Sequence, residues 1–143
     1  MLSFFKFFLI LFLISISNSL QSQTLNEINN SLFEDWINND SENFNKNISL
    51  GNAIISSNQK RDTIYAYFLF FKGLNSFNLK NYKLAISNLA DSEKIWSNSF
   101  QKNFNKIELV YHYLGLSYYG LDYNKSKTYL KKSINLIEKK ISY

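Results

Sequence analysis

Three features of this sequence predict an all-α fold. It has no proline and only four glycines in 143 residues, so the strongest helix breakers are nearly absent. Apolar residues recur at steps of three and four along most of the chain. No segment alternates with period two for long enough to make a strand. A content of 45% hydrophobic, 17% aromatic and 19% charged residues fits one small globular domain and argues against disorder. Twenty asparagines stand against four alanines, so the helical pattern is written with mediocre helix formers and its stability must come from packed faces.

The first segment, residues 1–22, reads as a signal peptide. It has one early lysine, Lys6, an apolar run from Phe7 to Ile14 and a polar tail of small residues. The run falls short of the roughly 20 apolar residues that span a bilayer. Cleavage fits after Ser19 or after Ser22, and the second site, leaving Gln23 first, resembles leaders of secreted Bacteroidetes proteins. An uncleaved membrane anchor is the alternative. The absence of cysteine excludes a lipoprotein anchor and disulfides. The expectation is export to the periplasm or beyond, with no membrane span left after leader removal and a helical domain over residues 23–143.

Thr24 and Glu27 have the form of a capping box, and Leu25, Ile28, Leu32, Phe33, Trp36 and Ile37 make the first helical stripe. Ser41 is the expected N-cap of a second helix carrying Phe44, Ile48, Gly51, Ile54 and Ile55. After the polar break at Gln59 to Asp62, a third helix follows with Ile64, Phe68, Phe71, Leu74 and Phe77. Asn81 caps a fourth, in which Tyr82, Ala85, Ile86, Leu89 and Trp96 face inward. Phe104, Ile107, Tyr111, Leu114 and Tyr118 mark the fifth. Gly120 to Asp122 turns the chain into a sixth, carried by Tyr123, Ser126, Leu130, Ile134 and Ile137. Three antiparallel hairpins result, at about 24–58, 60–99 and 103–141.

Aligning Gly73 with Gly115 reveals self-similarity. Gly73, Phe77, Tyr82, Ala85, Leu89 and Ser92 fall at the spacing of the tetratricopeptide repeat signature. Leu114, Gly115, Tyr118 and Tyr119, then Ser126, Leu130 and Ser133, match it again if the second turn is one residue shorter. On these residues, from 64 to 134, the chain resembles a tetratricopeptide repeat protein. At the glycine and small-residue positions two helices cross closely. The resemblance implies about three hairpins stacked as a short right-handed superhelix. Its glycine spacing of 42 residues against the usual 34, its lack of proline and a weak match over 24–58 are departures, and a non-repeat helical bundle is the alternative.

Catalytic signatures are sparse. His112 is the only histidine and lies four residues after Glu108, so both share a helix face. They could form an acid–base pair or part of a metal site. No third ligand, no phosphate loop and no nucleophile elbow accompany them, so the expectation is a non-enzyme without metal or cofactor.

Charge is more informative. Residues 23–62 hold six acids and three bases, whereas 63–143 hold five acids and 12 bases. Lys125, Lys127, Lys131, Lys132, Lys139 and Lys140 crowd the last helix. The first expectation for them is a solvated outer face, and the alternative is contact with an envelope surface or acidic partner. With Arg61 the sole arginine, bidentate phosphate recognition, and with it nucleic acid, is not expected.

The resemblance also implies a concave groove lined by the first helix of each hairpin. Tyr67, Phe70, Leu74, Phe77 and Asn78 would line it from one repeat, and Leu109, His112, Leu116 and Tyr119 from the next. These positions are largely aromatic and aliphatic, unlike a carboxylate clamp. Such a groove would bind a protein or peptide segment through buried area or close on a second copy. Residues 25–37 could equally fill it.

Overall fold

The structure, a computed structural model, describes residues 24–55, 62–98 and 106–142. The expected leader, residues 56–58 of the second helix's expected end, residues 59–61 of the polar break and the segment with Phe104 lie outside these residues. Among the described residues there are six helices and no strand: α1 Leu25–Ile37, α2 Ser41–Ile54, α3 Thr63–Asn78, α4 Tyr82–Asn98, α5 Ile107–Tyr118 and α6 Tyr123–Ile141. The all-α expectation holds. Consecutive helices pack on one another, α3 with α4 and α5 with α6 most extensively, and α4 also packs on α5 and α1 on α3.

Short polar residues set the helix starts. Thr24 and Glu27 form the reciprocal capping box. Asp62 and Asp122 accept the amides of Tyr65 and Lys125 at 3.1 and 3.0 Å, and Asn81 accepts that of Leu84 at 3.3 Å. One assignment moves by a residue: the cap of α2 is Asp40, which accepts the amide of Asn43 at 3.1 Å, and Ser41 is already helical.

The first two hairpin turns are built alike. Asn39 and Lys80 have φ of 56° and 59°. The next amides, those of Asp40 and Asn81, each donate to the carbonyl five residues back at 2.8 Å. These are left-handed closures of helix ends. The third turn has no residue with positive φ, and Leu121 and Asp122 both donate to the Tyr118 carbonyl at 2.8 Å.

The core is aromatic. Phe68, Phe70 and Phe71 of α3 are fully buried, with Ile28 and Leu32 from α1, Leu89 from α4 and Val110 and Leu114 from α5. Asn29 is buried too, its side-chain amide donating to the Ile64 carbonyl at 2.9 Å. Several residues read as inward-facing are instead open to solvent: Ile37, Ile54, Ile64, Tyr82, Tyr123, Ile134 and Ile137. The α6 stripe differs most, because only Ser126 and Ser133 of that helix are buried. Among the described residues α6 packs chiefly on α5.

Candidate functional site

The two registered hairpins share their crossing geometry. A Cβ on Gly73 would lie 2.5 Å from Leu89 Cγ, and one on Gly115 would lie 2.6 Å from Leu130 Cγ. Ser92 donates its hydroxyl to the Ala66 carbonyl at 2.7 Å, and Ser133 donates to the Glu108 carbonyl at 2.8 Å. Ala66 and Glu108 each lie seven residues before their glycine. Ala85 and Ser126 are buried at corresponding positions. The partners in α6 fall one residue earlier relative to those in α4, as the shorter third turn requires. Tyr82 and Tyr118, the remaining packing positions, contact other rings: Tyr82 meets Phe77 edge to face at 5.7 Å, and Tyr118 stacks parallel to Tyr129 at 5.8 Å.

This register decides the fate of the expected groove. Tyr67, Phe70 and Leu74 on α3 are buried, so the α3 half is core and not an open surface. Trp36 of α1 stands edge-on to Phe70, with ring centroids 6.2 Å apart at 86°. It also hydrogen-bonds the Tyr113 hydroxyl of α5. Lys106, at the start of α5, caps the Phe33 ring at 4.5 Å from the centroid. Trp96 of α4 lies 6.2 Å from Phe70 on another side. Residues 25–37 thus fill that half. Phe77 is half-buried against Tyr113 at 5.5 Å, and Asn78 is exposed.

The α5 half is different. Leu109 and Leu116 are half-buried, His112 is exposed and Tyr119 is 70% exposed. They lie 42 residues after Tyr67, Leu74, Phe70 and Phe77 respectively, on the equivalent helix face. The same face is therefore covered in one repeat and open in the next.

Glu108 and His112 do not form a dyad. The Glu108 carboxylate, largely buried, is held by Lys140 at 2.7 Å, with its second oxygen buried and without a hydrogen-bond partner. The exposed His112 ring meets the edge of Tyr113 at 5.3 Å. Among the described residues no group of three or more His, Asp or Glu side chains is placed to hold a metal ion. No described helix is long and apolar enough to cross a membrane.

Two of the last helix's lysines, Lys125 and Lys132, are exposed as expected and at the same time lean on a ring cluster between α4, α5 and α6. Lys132 Nζ lies 5.0 Å from the Tyr111 and Tyr129 centroids and 3.7 Å from Glu93, while Lys125 covers Tyr118 at 5.2 Å. Tyr129 donates to Glu93 at 3.2 Å. Burial, reinforced by the Glu93 charge, pushes the Tyr129 hydroxyl up to about 12 and raises Tyr111. Charge alone does not show this arrangement, because the partners of Lys125 and Lys132 include aromatic faces.

A cleft of about 320 Å³ opens where the α1–α2 turn meets the end of α3, lined by Asp35, Trp36, Asp40, Phe44, Asn75 and Asn78 among others. Of the residues expected to line the groove, only Asn78 belongs to it. Hydrogen bonds from the Asn43 backbone and side-chain amides hold the Asp40 carboxyl below its ordinary range.

No protein-family model, curated protein or solved structure matches this chain.

Proposed function

We propose that this chain is an exported, non-catalytic interaction module of the tetratricopeptide type, its helical hairpins stacked as a short right-handed superhelix. The observation that carries the reading is the repeated crossing at Gly73–Leu89 and Gly115–Leu130, with its paired serine hydroxyls. Among the described residues the α5 face at His112 and Tyr119 is exposed, whereas α1 covers the corresponding face of α3. The partner is a protein or peptide segment, read by the open face of α5: Leu109, His112, Leu116 and Tyr119. This is narrower than a groove running over both repeats, because α1 already covers the α3 half. An apolar face with one histidine suits a helical segment presenting apolar anchors at steps of three and four.

A displayed library of amphipathic helical peptides tests this. Binders should be selected against the intact protein, and His112→Ala together with Tyr119→Ala should remove their binding while Lys83→Ala, on the far helix, leaves it. Peptides that bind all three proteins equally, or no selected binder at all, would reject the α5 face.

A further inference from the structure

The C-terminal hairpin exposes an apolar edge beyond the groove. On α6, Ile134, Ile137 and Ile141 are 53%, 42% and 79% exposed, and they follow Leu130 at steps of four, three and four, so they form one stripe. Lys127 and Lys131 precede Ile134 by seven and three residues and flank it.

The register says what such positions do. Counting back 41 residues along the second helix of the repeat, Ile134 corresponds to Glu93. Counting back 42 along the first, Tyr119 corresponds to Phe77. In the second hairpin these two residues face the next one: Phe77 packs on Tyr113 at 5.5 Å, and Glu93 binds Tyr129 and Lys132. The exposed edge is thus the continuation of an interface that already exists inside the molecule. A stack edge suited to solvent would carry polar residues at these positions, yet this one carries isoleucine and tyrosine.

We propose that this edge is occupied by the N-terminal hairpin of a second copy of the same chain, joined head to tail. Charge complementarity selects that occupant. Residues 24–55 hold five acids and one base, whereas 106–142 hold seven bases and three acids. The acidic hairpin also offers its own exposed apolar residues, Leu50 and Ile54 on α2, and exposed carboxylates at Glu34 on α1 and Glu42 on α2. Joining two basic hairpins symmetrically would bring like charges together. Head-to-tail contacts repeat from copy to copy and give open-ended assemblies rather than closed dimers. The inference rests on the repeat register proposed above and shares Tyr119 with the α5 face, but its test acts on α6 and so can fail separately from peptide binding at α5.

Sedimentation of the full chain over a concentration series up to about 1 mM, where weak contacts of micromolar to millimolar strength become visible, is the test. Species larger than dimers should appear with rising concentration and shrink with added salt. Ile134→Glu with Ile141→Glu, both at solvent-exposed positions, should return the chain to a monomer. A charge exchange adds orientation. Lys127→Glu/Lys131→Glu and Glu34→Lys/Glu42→Lys should each associate several-fold more weakly alone, and their mixture should recover association. A monomer at every concentration overturns the proposal, whether solvent or other residues of the same chain cover the edge. A salt-independent closed dimer, or association unchanged in Ile134→Glu/Ile141→Glu, overturns it as well.

Discussion

Gly73 and Leu89 touch so closely that a single methyl group at the glycine would stand 2.5 Å from the leucine Cγ. The contact sets how near α3 and α4 approach. Gly115 and Leu130 repeat it in α5 and α6, where the added Cβ would also meet the Leu130 backbone nitrogen at 3.1 Å. Leu89 can swing aside more easily than a backbone can move. Gly73→Ala should therefore cost about 1–2 kcal/mol, overpacking outweighing the helix-propensity gain, and Gly115→Ala should cost more. Gly120, with nothing within 4 Å, is the control, and Gly120→Ala should leave stability nearly unchanged. Chemical denaturation of the three variants ranks them. Equal losses at all three would show that the crossings do not set helix spacing. In a double-mutant cycle, Leu89→Ala should absorb much of the Gly73→Ala penalty.

The serines separate satisfied from unsatisfied burial. Ser92 and Ser133 each donate to a carbonyl of the neighbouring helix, so Ser92→Ala and Ser133→Ala should each lose about 1 kcal/mol. Ser117 is equally buried, but its hydroxyl has no hydrogen-bond partner. Ser117→Ala removes an uncompensated polar atom and should be neutral or stabilising by up to about 1 kcal/mol. Thermal melts of the three variants decide it, and a loss at Ser117 as large as at Ser92 would contradict this account.

Much of this was legible in the sequence because helix crossings need particular sizes at particular spacings. Gly73, Leu89, Ser92, Gly115, Leu130 and Ser133 were readable from register alone, and so were the caps at Thr24, Asn81 and the turn before α6. Periodicity says which residues share a face but not whether a neighbour exists to cover it. Hence Ile134 and Ile137 look like core in sequence yet face solvent, while Phe70 and Tyr67 look like groove yet are sealed by Trp36 and Trp96. Asn29 shows the converse limit: a polar residue among asparagines gives no hint that its amide will be buried on the Ile64 carbonyl. Nor does Glu108, four residues before His112, reveal that its partner is Lys140 from the far end of α6.

Turn strain gives a prediction in the opposite direction. Lys80 closes the α3–α4 turn with φ of 59° and is exposed, a conformation that disfavours a side chain bearing Cβ. The hydrogen bond that its backbone N–H donates to the Phe77 carbonyl at 2.9 Å would survive substitution. Lys80→Gly should stabilise the fold by about 0.5–1 kcal/mol, the relief exceeding the extra freedom of glycine in the unfolded chain. Asn39 occupies the same place in the α1–α2 turn, but asparagine tolerates the left-handed region, so Asn39→Gly should gain much less. A destabilised Lys80→Gly protein would mean that the turn carries no such strain.

Alkaline pH should expose the ring cluster around Glu93. Burial and then the adjacent carboxylate raise Tyr129 from the ordinary tyrosine value of 10 to about 12. Burial alone raises Tyr67. In Tyr113 burial outweighs the opposing hydrogen bond from Trp36, so its pKa is also raised. A group with a raised folded-state pKa binds its proton more tightly when folded. Its contribution to stability is therefore complete below pH 10 and is lost as the pH climbs through the folded value. Tyrosinate absorbance should be followed together with helical circular dichroism. A late fraction should ionise toward pH 12, as helical signal falls. Glu93→Gln removes the neighbouring negative charge and should lower the Tyr129 and Tyr111 pKa values. The decline of stability between pH 10 and 12 should then flatten, although the variant loses the Lys132 contact at neutral pH. A decline as steep in Glu93→Gln as in the parent would show that burial alone governs these rings.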